Sequence, residues 1–97
     1  MSNVIHNVVA EEALRCILEE RFRQNMKWGE QNHDPFLWGT ILGEEYGEFC
    51  EAALELRFGK GESVERLAHL RAEAVQVAAV AMSIVECIDR NKWRFPQ

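Results

Sequence analysis

The stretch Ala74-Val75-Gln76-Val77-Ala78-Ala79-Val80-Ala81-Met82-Ser83-Ile84-Val85 decides the fold. It contains no glycine, proline or charged residue. At helical spacing its apolar side chains leave almost no polar face, and a helix apolar all round has to be enclosed by protein. The stretch lies in a longer segment, Val64 to about Asn91, that no proline interrupts. Ser63 stands where it can cap the start of that segment. About 28 residues at 1.5 Å rise make roughly 42 Å of helix. Two neighbours in a single chain of 97 residues are too few to enclose such a rod. The expectation is a homodimer or larger, with this helix at its centre.

Two further helical segments precede it. In the first, Val8 to Met26, the residues Val9, Ala13, Leu14, Ile17, Leu18 and Phe22 recur at three- and four-residue steps and form one stripe. Lys27 to Asp34 is a polar loop, and Asp34-Pro35 reads as an N-cap followed by proline in the first turn. The second segment, Pro35 to about Phe58, ends at Gly59-Lys60-Gly61, a loop signature. A short tail, Lys92 to Gln97, is basic and aromatic. Three long helices with tight loops predict an all-α antiparallel helical bundle of three main helices, completed by oligomerisation, with residues 1–97 forming a single domain.

Composition narrows the function. Hydrophobic residues make up 47% of the chain, too many for a disordered segment. The net charge of −5 argues against a nucleic-acid polymer as partner. Ala74 to Ile88 is too short and too polar to span a bilayer, so no membrane partner is expected. No basic region followed by an apolar run marks the start of the chain as a secretion signal. Cys16, Cys50 and Cys87 form no CxxC, so a zinc ribbon or disulfide framework is not signalled, and buried free thiols are expected. Together these features predict a soluble protein of the reducing cytoplasm.

The second segment concentrates acid. Glu44, Glu45, Glu48, Glu51 and Glu55 occur with no Lys or Arg between Pro35 and Leu56. Glu44–Glu48 and Glu51–Glu55 are like-charge i,i+4 pairs, each destabilising by roughly 0.2–0.5 kcal/mol, so positive charge must come from elsewhere. Glu44, Glu48, Glu51 and Glu55 share a strip about 60° wide. Glu45 stands further round, beside the apolar side carrying Trp38, Leu42, Tyr46, Phe49 and Ala53. Glu45 and Glu48 therefore straddle the core edge, where a carboxylate pair can share a hard cation such as Mg²⁺. The plain alternative is a solvated acidic face, which suits Glu51 and Glu55 best. Gly39, Gly43 and Gly47 recur at four-residue steps, each costing roughly 1 kcal/mol relative to Ala. They serve either close helix packing or room for a ligand beside the acids. On the third helix Glu65, His69, Glu73, Gln76 and Ser83 make a narrow polar stripe. A buried Glu73 has to be paired, for instance with an Arg66 or Arg71 supplied by a second copy of the chain, or protonated, or bound to metal.

Glu44-Glu45-Tyr46-Gly47-Glu48, followed on the third segment by Glu73, resembles the EExxE…ExxD signature of the MazG-like all-α NTP pyrophosphohydrolases. The resemblance extends through Arg23-Gln24, Lys27-Trp28-Gly29, His33-Asp34-Pro35, Trp38, Ile41 to Glu45 and Glu73 to Ala79, and looks like the compact single-domain subgroup. It implies a helical bundle assembling as a homodimer or homotetramer. The implied reaction takes a (deoxy)nucleoside triphosphate and water to the monophosphate and pyrophosphate, using Mg²⁺ with Mn²⁺ as a substitute. By position, Glu45, Glu48 and Glu73 correspond to metal ligands, and Glu44 to a further ligand or the base that orients water. The second motif of the family ends in Asp. Here that position is Gln76, a neutral oxygen ligand at best, so one negative charge is lost.

A triphosphate and an acidic protein repel without a cation, and metal ions in the Glu cluster would neutralise phosphates and activate water. Arg23, Lys27 and Lys60 are candidates to hold phosphate oxygens. Trp28, His33 and Trp38 are candidates to stack on or edge the base, although Trp38 suits the core and His33 a loop cap equally well. The Lys92-Trp93-Arg94 tail is a candidate cover for a neighbouring subunit's site.

Three other readings compete. A di-iron carboxylate bundle needs Glu-x-x-His on two helices, and only Glu30…His33 has that spacing, in a loop. A non-catalytic oligomerisation or regulatory module draws support from Gln76. A related pyrophosphohydrolase acting on dUTP or phosphoribosyl-ATP shares the same residues.

Overall fold

A computed structural model describes residues 2–91, with the side chains of residues 2–6 left aside. The Lys92-Trp93-Arg94 tail lies outside the described residues. The chain is all-helical over them: α1 Ser2–Trp28, α2 Pro35–Phe58 and α3 Ser63–Asn91. α1 begins earlier than the apolar stripe predicts, because nothing between Ser2 and Val8 breaks a helix.

Each boundary has a local cause. At the end of α1 the Gly29 N–H donates to the Asn25 carbonyl at 2.8 Å. Gly29 itself adopts φ 74°, the left-handed conformation that glycine reaches without Cβ strain. Asp34 caps α2 as expected: its Oδ1 accepts from the Phe36 and Leu37 N–H groups, both at 2.9 Å, with Pro35 in the first turn. The Gly59 N–H closes α2 on the Glu55 carbonyl at 2.7 Å. α3 already includes Ser63, and the Arg66 N–H reaches back to the Glu62 carbonyl at 3.3 Å, so Ser63 lies inside the helix it was expected to cap.

α3 is the middle element. It packs against α2 and against α1, while the Cα atoms of α1 and α2 stay more than 8 Å apart among the described residues. The α1–α2 loop meets the far end of α3, where the Arg90 Nη2 donates to the Gln31 carbonyl at 2.9 Å and the Asn91 Nδ2 to Asn32 Oδ1, also at 2.9 Å. Glu48, two turns further along α2 than Ile41, lies beside Glu73 near the other end of the contact. α2 and α3 are therefore antiparallel.

The core between them is small: Trp38, Val80 and Cys87, flanked by Ile41, Leu42 and Ile84. The radius of gyration is 15.9 Å, against about 13 Å for a compact 100-residue domain. The excess reflects the open side between α1 and α2. Much of the α1 stripe stays uncovered, with Val9, Leu14 and Phe22 exposed and Ala13, Ile17 and Leu18 half-buried. α3 itself is left open along Leu67, Ala74 and Val85. Cys87 is buried, whereas Cys16 and Cys50 are only half-buried, and all three are free thiols. No helix among the described residues is long and apolar enough to cross a membrane.

Candidate metal and nucleotide site

Two helices deliver the acids. Glu45 and Glu48 lie three residues apart on α2, so their side chains leave on neighbouring positions of one face. Because α3 runs antiparallel alongside, Glu73 meets them from the other side. One carboxylate oxygen from each of Glu45, Glu48 and Glu73 lies within 4.8 Å of the others. Glu45 and Glu73 are half-buried, and the Oε2 of each is buried with no hydrogen-bond partner.

Burial pushes the Glu45 carboxyl above its ordinary value, and the neighbouring charges of Glu48, Glu73 and Glu44 push it the same way. No Lys or Arg pairs with any of these carboxylates among the described residues. Glu73 has only the His69 Nε2 at 3.9 Å. Within the chain the Arg71 Nη2 contacts Cys16 Sγ at 3.4 Å, and Arg66 keeps Nε and Nη1 buried without partners. Glu51 and Glu55 are exposed, in keeping with a solvated face.

The arrangement suits a hard divalent cation. Such ions take oxygen ligands, and an octahedral Mg²⁺ is satisfied by a few carboxylates plus water and phosphate. A cation between the three Glu residues would satisfy both orphaned oxygens and remove the repulsion that raises Glu45. The donor set, all carboxylate, excludes the soft-metal alternatives that sulfur or imidazole would favour.

Next to the acids opens a cavity of about 600 Å³ between α1, α2 and α3. It is lined by Glu44 and Glu45 from α2, Gln76 from α3, and Arg23, Lys27 and Trp28 from α1. Arg23 pairs with Glu20 on its own helix. The Lys27 Nζ lies 4.6 Å from the centre of the Trp28 ring, which is 59% exposed. Trp38 also borders the cavity but is only 3% exposed, so its faces are not open to stack on a base. Its Nε1 is buried without a partner. His33 stands behind Trp38, edge to face at 4.8 Å, and does not line the cavity. Lys60 sits exposed in the α2–α3 loop and does not line it either. Gln76 lines it, but its Oε1 already accepts from the Gln24 Nε2 at 3.1 Å.

Sequence reasoning missed Glu20, Arg21 and Gln24, which also line the cavity. Glu20 and Arg21 are buried although charged. The available signal was their place on α1: both fall within the arc of its apolar stripe, Arg21 between Ile17 and Leu14 on the helical wheel and Glu20 between Val9 and Ala13. A Cβ added at Gly39, Gly43 or Gly47 would meet nothing within 4 Å, so none of the three serves close helix packing within the chain. Compared with models of protein families, with curated proteins and with solved structures, the chain matches none.

Proposed function

We propose that the protein is a Mg²⁺-dependent nucleoside triphosphate pyrophosphohydrolase that converts a (d)NTP and water to the (d)NMP and pyrophosphate. The observation that carries this reading is the convergence of Glu45, Glu48 and Glu73 from two helices, with two buried carboxylate oxygens unpartnered, beside a cavity that Glu45 lines together with Arg23 and Lys27. The resemblance of Glu44 to Glu48 and of Glu73 to the MazG-like motifs supplies the reaction class.

Glu45, Glu48 and Glu73 hold the cation, which when bound supplies charge neutralisation of the phosphates and acidifies a water. The protein's own groups do the rest. Lys27 and Arg23 hold phosphate oxygens from the α1 side of the cavity, and the exposed Trp28 ring gives a base a surface to stack on. Glu44, exposed on the cavity wall and in no ion pair among the described residues, takes the proton of the attacking water. The water oxygen bonds to the α-phosphorus, the α–β bridging P–O bond breaks, and pyrophosphate leaves with the electron pair. Most of the rate gain in such a reaction comes from positioning and electrostatics.

The working form is a homodimer or homotetramer, because the exposed line of Leu67, Ala74 and Val85 on α3 is apolar. Three free thiols suit the reducing cytoplasm. One observation favours a second reading, a non-catalytic helical oligomer: Gln76 adds no charge to the cluster and its oxygen is engaged. The two readings separate in a panel of (d)NTPs with Mg²⁺, assayed for pyrophosphate release beside Glu48→Gln and Glu73→Gln variants. Release from at least one substrate, lost in both variants, is expected. Activity persisting in both would refute the site. Absence of any release, with no thermal response to Mg²⁺ plus nucleotide, would favour the inert oligomer.

A further inference from the structure

We propose that Gln76 serves this site as a hydrogen-bond donor to a phosphate oxygen, and that Gln24 holds it out of the cation's ligand set. The inference rests on the pyrophosphohydrolase reading and adds a residue role that the motif comparison does not contain, since there position 76 corresponds to a ligand.

The argument begins with Glu20. It is 6% exposed, lines the cavity, and accepts from the Arg23 guanidinium, so its oxygens are the acceptors of this cluster. Gln24, one turn later on α1, has its Nε2 3.5 Å from Glu20 Oε2. Only the nitrogen end of that amide can face a carboxylate, because the oxygen end would set acceptor against acceptor. The same nitrogen lies 3.1 Å from Gln76 Oε1 and gives it a second hydrogen. Gln76 must therefore turn its oxygen toward α1.

That orientation has two consequences. The one Gln76 atom able to ligate a cation is engaged by a donor from another helix. The other end of the amide, Nε2, carries two N–H groups with no partner among the described residues. Gln76 follows Glu73 by three residues, so both leave α3 on the same face. It shares the cavity wall with Arg23, Lys27 and the buried, unpartnered Trp38 Nε1. An amide donor beside a cation cluster repels the cation and attracts the acceptor oxygens of whatever the cation brings. Phosphate oxygens are the acceptors that also suit Arg23 and Lys27. The exchange of Asp for Gln thus replaces a ligand with a donor, and the relay Arg23–Glu20–Gln24–Gln76 fixes which way the donor turns.

The test measures Mn²⁺ affinity by electron paramagnetic resonance and tripolyphosphate affinity by calorimetry with Mn²⁺ present. The proteins are the wild type, Gln76→Met, Gln24→Met and Glu73→Gln. Glu73→Gln is expected to weaken Mn²⁺ binding more than about tenfold. Gln76→Met is expected to leave it at the wild-type value and Gln24→Met, which frees Gln76 Oε1, to leave it no weaker, while both weaken tripolyphosphate by roughly tenfold, the loss of one hydrogen bond to a charged group. Methionine keeps the length of glutamine, and Gln24→Met carries the test independently should Gln76→Met fail to fold. Loss of Mn²⁺ affinity in Gln76→Met equal to that in Glu73→Gln would overturn the inference, as would unchanged tripolyphosphate binding. Failure of the wild type to bind Mn²⁺ would overturn the proposed function itself, so the two failures are distinguishable.

Discussion

Glu45 of α2 and Glu73 of α3 approach each other carboxylate to carboxylate within 4.8 Å, each with an Oε2 buried and unpartnered. Like charges this close are tolerated in a half-buried setting only if one takes a proton or a cation joins them. The groups that act on Glu45, apart from burial, are all acids, and its carboxyl is held above the usual 4.5. The folded state therefore binds a proton that the unfolded state releases. Stability from this group is present below pH 4.5 and is lost as pH rises through the elevated folded value. Without divalent ions, melting temperature is expected to fall over that window. Glu45→Gln is expected to flatten the fall and stabilise the metal-free protein by about 0.5–1 kcal/mol, or about 2–8 °C for a chain of this size. Mg²⁺ is expected to raise the wild-type melting temperature more at pH 7.5 than at pH 5. Thermal denaturation at several pH values checks all three, and a variant no more stable than wild type at neutral pH would show the repulsion to be absent.

Arg21 supplies the firmest tie between α1 and α3. Its Nε and Nη2 both donate to Glu86 Oε2, at 2.9 and 2.6 Å, with the two side chains 10% and 34% exposed. Removing Glu86 leaves a buried guanidinium without its partner, which costs more than the pair contributes. Partial exposure of Glu86 reduces that cost. Glu86→Ala is expected to destabilise by about 1–3 kcal/mol, and Arg21→Met by less, since methionine fills the space without a charge. Urea titration of both singles and the double variant gives the coupling. Additive effects would mean that the pair does not hold α1.

The cap of α2 sets where Glu44 and Glu45 emerge. Asp34→Ala is expected to cost about 1 kcal/mol, and Asp34→Asn much less, because asparagine also caps well. Asp34→Ala is further expected to lower pyrophosphate release from (d)NTP through misplacement of α2 even at temperatures where the protein is fully folded. Equal denaturation midpoints for Asp34→Ala and wild type would contradict the cap.

The acid cluster was legible in the sequence because helical spacing alone puts Glu45 and Glu48 at the core edge, and a lone carboxylate in the apolar face of α3 demanded a partner. The loops were legible too, since Asp34-Pro35 and Gly59-Lys60-Gly61 act through their own backbones. What lay hidden depends on how one helix is rotated against another. The contact from Gln24 to Gln76 crosses from α1 to α3, and no pattern within either helix announces it. The burial of Glu20 and Arg21 was partly legible, for both fall within the arc of the α1 apolar stripe, but what each meets depends on how α3 is laid beside them. Trp38 looked able to meet a base because aromatic residues near acids suit nucleotides. Its packing on Val80 and Cys87 could be known only once α2 and α3 were in register.

The most exposed consequence of the fold is the uncovered face of α3. Ala74, Ala78, Ala81 and Val85 fall at four- and three-residue steps and make one line along the helix, exposed at Ala74 and at Val85 (56%) and half-buried at Ala78 and Ala81 between them. Small side chains there let another helix approach closely, and water against such a line costs free energy in proportion to the apolar area. If a second copy covers it, a charge at its centre has to be desolvated on assembly. Ala78→Glu is expected to shift the protein toward monomer and to lower its melting temperature at a given concentration, while Ala78→Leu, apolar but larger, disturbs packing without adding a charge. Light scattering at micromolar concentration reads the first effect, and the concentration dependence of melting reads the second. A wild-type protein that is a folded monomer at that concentration, with Ala78→Glu equally stable, would show that α3 needs no cover.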